Sequence, residues 1–150
     1  MTTTITAATM TVTITETLTL GGNNYNSTIK KEISSIGNIH KRIYTLNATS
    51  THTIAEFASS ITNNKFDLDD TKYIRITNLD DAANLVVTYA GASVAAGARI
   101  GPGNSHLLFD HNINGAASAS ALTSYVDIAN LYIRNNESSA VDVEVCIATL

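Results

Sequence analysis

The chain has 150 residues and a formal net charge of −4, with 44% of its residues apolar and 15% charged, against about 25% charged in an average domain. That length supplies one self-sufficient core, and a single cysteine, Cys146, excludes a disulfide framework. Nine basic and 13 acidic residues with no basic block exclude a nucleic-acid footprint, and no stretch approaches the ~20 apolar residues of a membrane span.

The missing charge is replaced by 21 Thr and 15 Asn, with one Pro and no Trp. These are strand and turn formers, so composition predicts an all-β domain. Met1 is followed by threonines and not by a secretion signal, which predicts synthesis in the cytosol.

In chain order, the first twenty residues hold ten Thr. From Met10 the even positions Met10, Val12, Ile14, Leu18 and Leu20 are apolar while the odd ones are Thr, the period of a strand. Glu16 breaks the apolar row and predicts an edge strand or an arm that leaves the body, since a central strand would bury its carboxylate unpaired. Gly21 to Asn26 reads as the following turn. Ile29, Ile33, Ile36, Ile39 and Ile43 recur at helical spacing, yet Gly37-Asn38 is a hairpin signal between β-branched arms, and the hairpin is preferred to the helix. It would set Ile36 opposite Ile39.

Thr53 to Ser59 is ambiguous between a strand and a helical turn. Tyr73 to Thr77 and Leu85 to Tyr89 alternate well across a turn-rich link and read as a hairpin. Ala90 to Gly103 is rich in Ala and Gly, and its Gly-Pro-Gly forces a sharp turn before a short strand bearing Leu107 and Phe109. Asn112 to Ser120 reads as loop. Tyr125 to Arg134 is a strand bulged near Ala129-Asn130, and Val141, Val143, Val145 and Ile147 mark a half-buried last strand. Eight to ten short strands with no helix between them predict an antiparallel β-sandwich or jelly roll. The expected organisation is one domain over residues 1–150, with a Thr-rich N-terminal strand or arm over about its first 20 residues. A short echo, Tyr73-Ile74-Arg75 and Tyr132-Ile133-Arg134, predicts outward Tyr and Arg side chains at two places.

Candidate chemistry is thin. Gly103-Asn104-Ser105-His106-Leu107 begins like a nucleophile elbow but lacks its second Gly, and adjacent strand residues point to opposite faces. His40, His52, His106 and His111 have no zinc spacing. Asp67, Asp69, Asp70, Asp80 and Asp81 offer hard oxygens without the order of a calcium loop. Glycine runs lack the Lys or third Gly of phosphate cradles. No catalytic residue, metal or cofactor is therefore expected, and Cys146 reads as a small buried apolar residue. Scarce aromatic platforms leave a carbohydrate-binding module as the weaker alternative.

The run Lys72-Tyr73-Ile74-Arg75-Ile76-Thr77-Asn78-Leu79-Asp80-Asp81 resembles a segment of small virion structural proteins of tailed marine bacteriophages of the cyanophage type. Leu85-Val86-Val87, a Pro-Gly turn into Ser105-His106-Leu107-Leu108-Phe109, and Val141 to Ala148 follow in the same order, so the likeness runs from Thr53 to Thr149. It implies a non-enzymatic structural role in the virion. A capsid decoration or cement protein is the first expectation, and a neck, tail or fibre component the second. The expected partners are other copies of the chain, a cyclic trimer among the assemblies, and the major capsid protein or other virion proteins, with no nucleic acid and no membrane. Low charge suits a many-copy lattice. The candidate interface residues are Met10, Val12, Ile14, Leu18, Leu20, Tyr73, Arg75, Tyr132 and Arg134, with the first strand pairing either within its own sandwich or with a neighbour.

Overall fold

The computed structural model describes residues 5–60, 65–92, 94–109, 112–113 and 126–150. Met1 to Thr4 of the expected arm, the Asp110-His111 pair, most of the Asn112 to Ser120 loop and Tyr125 lie outside the described residues. Among the described residues every regular element is a strand, and no helix is long and apolar enough to cross a membrane. The all-β expectation holds. The chain divides into two compact units, residues 1–38 with Leu150, and residues 39–149. The arm expected over about 20 residues is thus part of a unit that runs to Asn38.

The first unit is a long hairpin. Strands β1 (Ala8–Glu16) and β4 (Ser27–Ile36) pair antiparallel from Ala8↔Ile36 to Glu16↔Ser27. The short strands β2 (Thr19–Leu20) and β3 (Asn23–Asn24) extend it to the tip. Gly21 and Gly22 turn the chain there at φ 59° and 80°, the left-handed pair that matches strand twist and that side chains with a Cβ resist. The expected hairpin at Gly37-Asn38 does not form. A two-residue turn of that kind needs positive φ at both central residues, and neither residue has it; Ser35, at φ 63°, is the left-handed position nearby. Gly37 serves a different need, because a Cβ there would stand 3.1 Å from the backbone carbon of Leu150.

The second unit contains β5 (Asn38–Leu46), β6 (Thr51–Ala58), β7 (Phe66–Asp67), β8 (Thr71–Asn78), β9 (Leu85–Ala90), β10 (Ala95–Ile100), β11 (Ser105–Leu108), β12 (Asn112–Ile113), β13 (Val126–Asp127), β14 (Asn130–Asn135) and β15 (Val141–Thr149). One sheet has the order β10-β9-β14-β6-β7 and the other β11-β8-β15-β5, while β12 and β13 form a separate short ladder. Their inner faces share one core that includes Leu46, Phe57, Ile74, Ile76, Leu85, Val87, Leu131, Ile133, Val143, Val145 and Ile147. Burying each such side chain contributes about 1.5 to 3 kcal/mol. The two sheets form a β-sandwich.

Two pairings differ from expectation. Strands β8 and β9 do not form a hairpin with each other; they lie in different sheets, and the hairpin partner of β9 is β10, in the Ala and Gly rich stretch. Thr51 to Ala58 is a strand and not a helical turn. The interruption expected near Ala129-Asn130 is present as the break between β13 and β14, and a bulge opposite Leu131 and Tyr132 leaves Ile54 as the extra residue on β6. The last strand is more deeply buried than alternation implies, because β15 lies between β8 and β5 and both its faces are covered at Cys146, Ile147 and Ala148.

Two of the crossings between sheets, from β8 to β9 and from β14 to β15, begin at asparagines with no exposed surface. Asn78 Nδ2 donates to the carbonyls of Ala83 (2.8 Å), Ile100 (3.3 Å) and Gly101 (3.2 Å), and its Oδ1 accepts from the Asp80 amide. Asn135 Nδ2 donates to Ser139 (2.8 Å), Leu46 (3.2 Å) and Asn47 (3.1 Å), and its Oδ1 accepts from Glu137. The correspondence extends further. Gly103 donates to the Asp80 carbonyl and Thr49 to that of Glu137, while Asn78 donates to Asn104 and Asn135 to Ser50. Gly103 and Thr49 both have left-handed φ, 64° and 48°. Exchanging β5, β6, β8 and β9 for β10, β11, β14 and β15 converts the order β10-β9-β14-β6 into β5-β15-β8-β11, so the sandwich is an internal repeat. The Tyr-Ile-Arg echo in the sequence does not align equivalent residues of this repeat: it is out of register by two, because the equivalent residues are Ile76-Thr77-Asn78 and Ile133-Arg134-Asn135.

Candidate assembly surface

On the β1–β4 ribbon the register divides the residues by face. Met10 lies opposite Ile33, Val12 opposite Lys31 and Ile14 opposite Ile29, while Thr11, Thr13 and Thr15 face Glu32, Lys30 and Thr28 on the other side. One face is therefore apolar except for Lys31, and the other is polar. Met10 and Val12 are half-buried, but Ile14 is 42% exposed and Ile29 60%. Glu16 ends the strand opposite Ser27 and stays in solvent. Among the described residues neither β1 nor β4 has a second neighbour in its sheet. Two strands alone are marginal in water, and large apolar side chains left on such a ribbon mark an interaction surface.

Leu18 and Leu20 lie beyond this ladder. Leu18 sits where the long ladder gives way to the tip, with its amide on Asn26 Oδ1 and its carbonyl accepting from the Tyr25 amide, and Leu20 belongs to β2. Both are exposed, as is Tyr25.

The four aromatic and basic candidates fall on opposite outer faces of the sandwich. Tyr73 and Arg75 lie on β8, Tyr132 and Arg134 on β14. The expectation that both tyrosines point outward to solvent fails at Tyr73, which is buried, with its ring 5.4 Å from that of Phe109; burial raises its hydroxyl pKa. Arg75 is half-buried and committed to Glu144, which also meets Lys41 at 3.2 Å. The hydrogen bond from Arg75 holds the Glu144 carboxyl below the usual range, with Lys41 adding to it. Thr77 and Ser105, 2.8 Å apart, and Thr45 with Asp142, 2.7 Å apart, extend this polar face. Tyr132 is half-buried, and Arg134 is exposed with bonds to Asn136 and Thr51. The nine candidates therefore do not form one patch.

The remaining polar groups serve the fold. Asp80 Oδ1 accepts from the amides of Ala82 and Ala83 (2.8 and 2.6 Å), which lower its pKa, and Asp67 Oδ1 accepts from the Asp69 amide. His40 bonds Tyr44, and His52 bonds Ser50. Ser105 shares its face with Thr77, while His106 lies beside the Tyr89 ring at 5.6 Å. Among the described residues no three His, Cys, Asp or Glu side chains gather as a metal site. Sequence reading missed Asn78 and Asn135, whose only signal is an Asn that ends an alternating strand. No protein-family model matches the chain, and no curated protein matches it in sequence.

Proposed function

We propose that this protein is a non-enzymatic structural subunit of a bacteriophage virion, first a capsid decoration or cement protein and second a neck, tail or fibre component. One observation carries the assembly part of the reading: the β1–β4 ribbon presents Ile14 and Ile29 to solvent from strands that have no further neighbour among the described residues. A protein acting alone hides or charges such a feature. The strand order of the two sheets, read as the winding of a jelly roll, agrees with an architecture common in viral capsids. The virion part rests on the resemblance of the Lys72 to Asp81 segment and the strands after it.

Quantitative mass spectrometry of purified phage particles tests the reading. Hundreds of copies per particle support decoration of the shell, and about six or twelve support the neck or tail, following the symmetry of those sites. Absence from particles made in cells that express the protein overturns it.

A further inference from the structure

We infer that β1 is a self-complementary edge, and that two copies of the chain join by antiparallel pairing of β1 with β1 about a two-fold axis at Val12. The inference rests on the ribbon being an assembly element and adds its occupant and register. The two outer edges of the ribbon differ in chemistry. The β4 edge carries Lys30, Lys31 and Glu32 in succession, the charged dressing that natural strands use against pairing. A two-fold pairing of β4 centred on Lys31 would also set Lys31 against its own copy. Between Ala8 and Thr15 the β1 edge has no charge and no proline.

Centred on Val12, β1 reads alike in both directions. Val12 meets Val12 of the second copy, Thr11 meets Thr13, Met10 meets Ile14 and Thr9 meets Thr15, so each face keeps its character across the join. Thr pairs and β-branched apolar pairs are favourable cross-strand partners. Glu16, the one charged residue of the strand, falls opposite Ala8 and meets no like charge. The joined sheet has the order β4-β1-β1-β4, with the row Ile29, Ile14, Met10 and Ile33 crossing all four strands and repeating by symmetry. A two-stranded ribbon becomes a four-stranded sheet, past the point at which sheets hold together alone. A closed two-fold contact of this kind uses the same surface on both copies.

The test is made on the full chain in solution. Sedimentation should show the 15.9 kDa species giving way to a dimer as concentration rises, and Thr11→Lys with Thr13→Lys should weaken dimerisation at least tenfold with the circular dichroism unchanged. Val12→Cys should cross-link to dimer under mild oxidation beyond the wild-type background. Glu16→Cys should not, because the two copies of residue 16 are about 27 Å apart in this register and a disulfide needs Cα atoms within about 7 Å. A monomer at every concentration, or lysine variants that dimerise as the wild type does, overturns the proposal. Equal cross-linking at residues 12 and 16 overturns the register. Each of these measurements is independent of presence in particles, so failure here is distinct from failure of the virion reading.

Discussion

Asn78 and Asn135 hold two of the crossings between the sheets, each giving one side-chain nitrogen to three carbonyls. Asn78→Leu keeps the branched shape, though not the volume, and leaves those carbonyls and the Asp80 amide without their partner. The expected cost is about 2 to 4 kcal/mol in urea unfolding, since buried polar groups left unpaired cost about 1 to 3 kcal/mol each and partly relax. Asn135→Leu should behave alike. Tyr89 is the opposite case: its buried hydroxyl has no hydrogen-bond partner among the described residues. Tyr89→Phe should therefore raise stability by about 1 kcal/mol, and a lowered melting temperature would contradict this. Glu144 supplies the pH dependence. Its carboxyl pKa is lowered in the folded state, so its contribution is present above the ordinary Glu value and is lost as pH falls through the lower folded value. Glu144→Gln should cost up to about 1 kcal/mol near neutrality, Lys41 being an exposed partner, and should flatten the acid side of the stability profile.

At the scale of elements, the strands were legible in the sequence and their partners largely were not. Alternation at Tyr73 to Thr77 and at Val141 to Ile147 marks strands because one face of each is buried, a property local to the strand. Pairing depends on which sheet a strand enters, and the link from Leu79 to Asn84 turns between sheets at Asn78, whose side chain donates to Ile100 and Gly101, bonds that no local signal announces. Ala95 to Ile100 was missed as a strand because Ala and Gly carry little strand preference. The Gly21-Gly22 turn was readable since its geometry is local. Gly22→Val, at φ 80°, should destabilise the hairpin tip by about 1 to 3 kcal/mol. Amide exchange should then quicken near Leu20 and Asn23 and stay unchanged in β8 and β15.

For the whole molecule, one unit is a sandwich that completes its own core and the other a ribbon that does not. Of the candidate surface, sequence reading located Met10, Val12 and Ile14 because period two survives on an exposed strand. It misplaced Tyr73, because the burial of a tyrosine on an outer face depends on Phe109, 36 positions later in the chain. Self-association through the ribbon is read out by amide hydrogen exchange as a function of protein concentration. In β1 the amides that face β4 should be protected at every concentration, and the alternate amides, on the free edge, should become protected only as concentration rises, while β8, β14 and β15 stay constant. Free-edge amides of β1 whose protection does not change with concentration, or a change confined to the sandwich strands, would contradict pairing through β1.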